Sequence, residues 1–473
     1  MTDFDIGSPP NSPSGWVDYL HSKLLRRRTL IRFWTDYYDG RHQRMVFSQE
    51  KHRNAFGQLF GNWSDNFCGL IVDSVNERMF IDGFQMTDEP GGDKDARNIW
   101  QRNHLDSEAN AAHLDAMIAG ESYAVVWGDK AGEPVISIES AEHVIVQYKP
   151  GSRYEIEAAA KFYTDDWGRD HVTLWLPEGV YTGTGLTGAW GDYKRAPNPL
   201  REVPVVPISN RSRLNGSVTS DLAVVIPLAD AINKTVSDAL VASEYAAWPQ
   251  RYVTGLEIQE DEAGNPIEPF RVAVDKLLQA ESPDVKFGQF EAANLANYVT
   301  LVNMLVQHMA SISRIPFHYF LLNGGTAPSG ESITAAEAGL IAKTRERMLH
   351  FGEAWERVMR LAFKVLKDKR AEAFGAEVIW RDPENRTEAQ HMDALLKLQL
   401  IGVPRDQLLS DAGYTPQQIE RFRSMRDQDA KDEMELAKKY PKPMEQPNAP
   451  KPGEAEARKA PQGNSGNAAR KGA

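Results

Sequence analysis

The chain reads as an α+β protein of more than one domain, and three features of its 473 residues point there. Apolar residues recur at helical spacing through several long stretches, a run of short β-rich segments interrupts them from about 122 to 208, and the helix that starts near 330 is the longest of all. At roughly 150 residues per domain, the length allows two or three domains with cores of their own.

After a Pro- and Ser-rich leader, residues 15–39 place Leu20, Leu24, Leu25, Ile31 and Trp34 near one helical face. Lys23, Arg26, Arg27, Arg28 and Arg32 spread around the other, the pattern of a solvated face rather than of a nucleic-acid patch. Further helices are expected over 62–78 and 94–119, the second stopped by Gly120. YAVVW, PVISI, HVIVQY, EIEAAAKFY and HVTLWL then read as strands separated by Gly, Asp and Pro.

Residues 221–247 return to helical spacing with Leu228, Ile232, Val236 and Leu240, and Pro227 either starts or kinks the helix. Short strands and turns follow over 248–290, with a hairpin tip at 260–266. A helix over 291–313 aligns Leu295, Tyr298, Val302, Leu305, Val306 and Met309. The longest helix, about 330–370, repeats Leu340, Ile341, Met348, Phe351, Trp355, Val358, Met359 and Ala362, and would extend roughly 60 Å. A strand at 376–382, a helix at 386–401 and two short helices around Gly413 and Pro416 complete the folded part. Past Tyr440 almost no apolar residue remains, and that tail is expected to be disordered in isolation.

Charged residues are 25% and hydrophobic ones 41%, the usual globular mix, while the net charge of −12 argues against a broad grip on nucleic acid. The single cysteine, Cys68, cannot form an internal disulfide and sits in an apolar helical pattern as a small buried side chain. No apolar run approaches the ~18 residues that span a bilayer, and the N-terminus lacks a basic-then-apolar signal. The expectation is a protein of the cytoplasm, or of an assembly built there, with no membrane contact.

Two glycine patterns invite a nucleotide reading. GTGLTG at 183–188 has the form G-x-G-x-x-G, but the following AWGDYKRAPNPL cannot open a helix over a pyrophosphate, so a β-turn is expected instead. GGTAPSGES at 324–332 is one residue from a phosphate loop, with Glu331 in the lysine position, where a carboxylate repels phosphate. A structural reading accounts for it: Ser329 caps the helix, Gly330 lets the chain turn, and Glu331 complements the helix dipole. The histidines show no H-E-x-x-H or Cys/His cluster, the serines no G-x-S-x-G, and no pair of carboxylates stands out; no cofactor, metal or catalytic residue is expected.

What remains is two long helices bracketing a small β-containing insertion, an apolar loop, and a very long helix. In that order, FWTDYYDGRH, NWSDNFCGLIVDSVNERMFIDGF, HLDSEANAAHLDAMIAGESYAVVW, EVPVVPISNR and above all SISRIPFHYFLLNGGTAPSGESITAAEAGL resemble the portal (head-tail connector) proteins of tailed double-stranded DNA bacteriophages, the long-tailed type. The resemblance covers about residues 15–428.

It implies a wing over 15–220 after a disordered leader at 1–14, stem helices at 221–247 and 291–313, a clip at 248–290, a tunnel loop at 314–330, a long helix at 331–375, a wing strand and crown over 376–428, and a largely disordered tail at 429–473. It implies a non-enzymatic ring of twelve copies at one capsid vertex of the virion, assembled in the host cytoplasm. Implied partners are the terminase large subunit, major capsid and scaffold proteins, a head-tail adaptor, and double-stranded DNA in transit. The implied channel-lining residues are Pro316, Phe317, His318, Tyr319, Phe320, Asn323, Gly324 and Gly325, with Ser329, Gly330 and Glu331 capping the exit into the helix. From Ile315 to Gly330 there is no Lys or Arg, which suits a surface past which DNA must slide. The alternatives are another ring-forming head or neck protein and a degenerate nucleotide-dependent hydrolase.

Overall fold

The computed structural model describes residues 9–41, 65–86, 92–186, 189–247, 251–255, 283–290, 294–320, 330–384, 388–414 and 416–439. The chain divides into two units, residues 1–403 and 404–473.

In the first unit, α1 (Pro13–Tyr38) starts where Ser12 accepts a hydrogen bond from the Gly15 N–H at 3.2 Å, with proline at the first helical position. It buries Trp16, Val17, Leu20, Leu24, Ile31, Trp34 and Tyr37. Leu25, expected on that face, is exposed. The helix lies across a five-stranded antiparallel meander of β4 (Val144–Tyr148), β5 (Ile156–Thr164), β6 (Asp170–Leu176), β7 (Gly179–Leu186) and β8 (Ala189–Ala196).

The basic face of α1 is only partly solvated: Arg26 and Arg32 are exposed, while Lys23, Arg27 and Arg28 are half-buried against the chain's own groups. Lys23 Nζ donates to the Val146 carbonyl at 3.0 Å, Arg28 grips the Glu142 carbonyl at 2.7 Å, Arg32 pairs with the Glu142 carboxylate at 2.9 Å, and Arg27 pairs with Glu121. Burial, reinforced by Arg27, pushes the Lys23 ammonium down to about 8. The arginine run holds helix to sheet because loop carbonyls and carboxylates there would otherwise be buried without donors.

The main core lies behind this layer. It gathers α2 (Phe67–Asn76), α3 (Lys94–Arg102), α4 (Leu105–Ala119) and a three-stranded sheet ordered β3 (Pro134–Ser140), β2 (Glu121–Gly128), β9 (Val205–Ser209). The single helix expected over 94–119 is broken. Asn103 turns its side chain to the Ile99 carbonyl at 2.8 Å and the Ile136 N–H at 2.8 Å, and His104 takes a left-handed φ of 55°. Two helices at an angle can then follow the sheet.

The first four residues of GTGLTG are strand, with Gly183 and Gly185 inside β7; Thr187 and Gly188, between the paired Leu186 and Ala189, lie outside the described residues, so the expected turn is not contradicted. A Cβ on Gly183 would meet the Tyr193 ring of β8 at 2.9 Å, so the glycine leaves room for a cross-strand aromatic.

From this base rises α5 (Ile226–Ala247), which Pro227 starts rather than kinks, followed by a two-stranded ribbon of β10 (Arg251–Thr254) and β11 (Lys286–Gln289), then α6 (Ala296–Ser313). The expected hairpin tip at 260–266 lies outside the described residues. The longest helix, α7 (Gly330–Val365), has 36 residues and so spans roughly 54 Å. All eight of its expected apolar positions are buried. β12 (Glu377–Trp380) pairs antiparallel with β1 (Ile81–Gln85) beside it, and α8 (Glu388–Leu400) ends this unit's helices.

In the second unit, α9 (Arg405–Asp411) and α10 (Pro416–Lys439) are joined by Asp406, which pairs with Arg423 at 2.6 Å and Arg426 at 2.9 Å. The expected second short helix is in fact 24 residues long and runs to Lys439, past the boundary placed at 428.

Candidate functional site

The segment between α6 and α7 opens where Arg314 takes a left-handed φ of 61°, ending α6. Ile315 and Pro316 are buried, and Phe317–Tyr319 form one 3-10 turn. A proline there needs no amide donor, so the turn closes through the Tyr319 N–H to the Pro316 carbonyl at 3.0 Å.

Phe320 then dives into the main core, 5% exposed, with its ring 5.5 Å from that of Phe67 on α2. Phe317, His318 and Tyr319 are half-buried, and the His318 and Tyr319 rings lie 5.0 Å apart, tilted at 49° to each other. Of the residues expected to line a channel, the structure thus brings Pro316 and Phe320 into the chain's own packing. Asn323, Gly324, Gly325 and the cap Ser329 lie outside the described residues. Gly330 and Glu331 form the first turn of α7.

Two side chains that sequence reasoning passed over, Arg78 and Glu337, hold this root in place through Tyr319. Arg78, just past α2, donates through Nη2 to the Tyr319 hydroxyl at 2.7 Å and to Glu337 of α7 at 3.0 Å, and through Nη1 to the Pro383 carbonyl at 3.1 Å. The Tyr319 hydroxyl in turn faces Glu337 at 3.5 Å. Arg78 and Glu337 are each only 8% exposed. Two desolvated charges cost several kcal/mol apiece unless paired, so the clasp is stable only with all its members in place.

A second knot sits about two to three turns further along α7. Asp221, before α5, pairs with Lys343 at 2.9 Å and Arg347 at 2.8 Å, both on α7, and accepts from Asn210 at 2.9 Å. Burial opposes ionisation of Asp221, but Lys343 and Arg347 overcome it and hold the carboxyl well below the usual carboxylate range. Lys343 also donates to the Ser313 carbonyl at the end of α6 at 3.3 Å. The start of α5, the end of α6 and the body of α7 are therefore tied at one point. The sequence signal was present: Lys343 and Arg347 stand four residues apart among the apolar positions of α7, where a charge is out of place unless paired.

Among the described residues no group of three or more His, Cys, Asp or Glu is arranged to hold a metal. Burial pushes the Cys68 thiol up to about 12, with Asp230 adding to it, which makes it inert. No described helix is long and apolar enough to cross a membrane. The arrangement offers mechanical linkage: a short root packed between α6 and α7 and clasped to α7, the longest described helix.

Known proteins share this organisation in sequence. The chain is 29% identical to the portal protein of Mycobacterium phage L5 over 382 residues, 76% of this chain and 78% of that protein. It is also 29% identical to the portal protein of Mycobacterium phage D29 over 381 residues, with the same shares covered. Residues 18–432 match the family described as phage portal protein, SPP1 Gp6-like. That match spans most of the chain, including the root, the clasp and the long helix, so the protein belongs to the SPP1 Gp6-like phage portal family, a structural family.

Proposed function

We propose that this portal protein works as one subunit of a closed ring of twelve copies at a capsid vertex, with double-stranded DNA passing along the axis. The observation that carries the ring is α6. Its 18 residues include no Asp, Glu, Lys or Arg, and while one side packs on α5, Val299, Leu301, Met304 and Ile312 are 57%, 42%, 46% and 52% exposed. An uncharged helix that leaves four large apolar side chains exposed among polar ones on its outer side suits a covered surface. A neighbouring copy, added head to tail, supplies the cover and closes a ring by rotation.

On this reading, α5 and α6 are the stem and residues 314–330 the tunnel loop. Because Pro316 and Phe320 are packed and Tyr319 is clasped, the facing of DNA falls to His318 and to Asn323, Gly324 and Gly325. A segment with no cation between Ile315 and Gly330, in a chain of net charge −12, avoids the phosphate contacts that would arrest sliding DNA. The ribbon β10–β11 belongs to a clip that meets the terminase large subunit during packaging and head-tail adaptor proteins afterwards, while the outer parts meet capsid and scaffold proteins.

Binding of purified terminase large subunit to the wild-type chain and to a variant with residues 251–289 replaced by a short linker tests the clip assignment. Binding by the wild type and loss in the variant are expected. Equal binding by both would remove the clip from that role.

A further inference from the structure

We propose that the tip of the β5–β6 hairpin of one copy, led by Trp167, docks into the groove between α7 and β12 of a neighbouring copy; the contact rests on the ring reading above. The tip is a rigid knob. The Asp165 N–H donates to the Arg169 carbonyl at 2.9 Å, the Gly168 N–H donates back to the Asp165 carbonyl at 2.9 Å, and Gly168 takes a φ of +76° that favours glycine. The Asp165 carboxylate accepts from the N–H groups of Trp167 at 3.0 Å and Arg169 at 2.8 Å, and from Arg169 Nε at 2.9 Å.

On this frame Trp167 stands 78% exposed, its ring 5.4 Å from the Arg169 guanidinium. An indole this exposed fills no socket on its own chain. Tryptophan is the residue type that most often anchors interfaces, and one already fixed by its turn loses little freedom on binding.

The groove is a socket of about 670 Å³, within the range of pockets that enclose drug-sized ligands. Leu349 and Phe374 stand at its rim, 68% and 81% exposed, and Trp380 lines it. Gly352 also lines it, beside Trp380. Glu353 on one side suits the Arg169 guanidinium, and Arg360, 5.6 Å over the Phe374 ring, suits Asp166.

Knob and socket belong to different copies for a geometric reason. The near end of β5 is held to α7 where Arg357 Nη1 donates to the Tyr154 carbonyl at 3.0 Å. From there the nine residues of β5 lead away by roughly 30 Å at ~3.3 Å per residue. Two unlike, complementary surfaces at separate places on one chain are what a head-to-tail ring contact requires.

The test pairs Trp167→Cys with Leu349→Cys in the full chain, where Cys68 is buried and does not compete. Mild oxidation of the assembled protein is expected to give a ladder of covalent multimers on a denaturing gel, absent from either single variant. Closed rings seen by electron microscopy with no ladder would overturn the contact and leave the ring standing; absence of rings from the wild type would take down both. Should the double variant fail to assemble, Trp167→Ala and Leu349→Ala are each expected to weaken ring association at least tenfold on dilution, with their combination no worse than Trp167→Ala alone. Unchanged association in Trp167→Ala overturns the proposal.

Discussion

His113 on α4 is 1% exposed, stacked on Phe351 at 4.9 Å, and its Nε2 accepts the Trp355 indole N–H at 2.8 Å. Burial holds its pKa down to about 3, against an ordinary 6.5. Below pH 6.5 the unfolded chain takes up a proton that the folded chain refuses, so stability falls by about 1.4 kcal/mol per pH unit toward 3. Glu356 works the other way: burial, then Glu353, pushes its carboxyl up to about 7, a contribution full below 4.5 and lost as pH rises through 7. Its groove is open to solvent, so its weight is smaller. In Glu356→Gln the urea midpoint is therefore expected to drop steadily from pH 6.5 to 5, and a flat profile would refute the His113 assignment. Arg78→Ala leaves Glu337 buried without its partner, an expected loss of about 3–5 kcal/mol in denaturant unfolding, whereas Tyr319→Phe removes the hydroxyl that accepts from Arg78 and donates to Glu337, worth roughly 1.5–3 kcal/mol. At this scale the apolar positions of α7 were legible because burial follows helical period. The buried pairs were not: Lys343 and Arg347 stand out among the apolar positions of α7, but their partner Asp221, like the Arg78 that meets Glu337, comes from far away in the sequence, where no local pattern announces it.

At the scale of elements, periodicity located α1, α5, α6 and α7 to within about five residues, missed the length of the mostly polar α10, and failed elsewhere where a side chain overrode it. Asn103 splits 94–119 by satisfying backbone groups of β3. The basic run of α1 misled for the same reason: composition shows the charge but not the carbonyls waiting for it. The exposed side of α6 gives this scale its own test. Met304→Glu is expected to leave the melting of the isolated subunit within about 0.5 kcal/mol of wild type, as surface changes do, while abolishing association in sedimentation. A variant that still assembles would move the interface elsewhere.

For the whole molecule, the order of segments carried the family in the sequence, and the fold supplies the physical reason for that order. A glycine and an acidic first turn favour a helix start, and we propose that this demand, rather than phosphate, explains the likeness of residues 325–332 to a phosphate loop. Neither the wild type nor Glu331→Lys is expected to bind magnesium ATP in calorimetry; tight binding by the wild type would reopen the enzymatic reading. What the sequence left hidden is how the loop root is held, because that depends on a clasp closed by three separate segments. The central claim is a closed ring with an axial channel, and electron microscopy of the purified 53.0 kDa chain tests it most directly. Rings of twelve copies with a central opening are the expected result; particles that stay monomeric under every assembly condition, with no ring views, would contradict it.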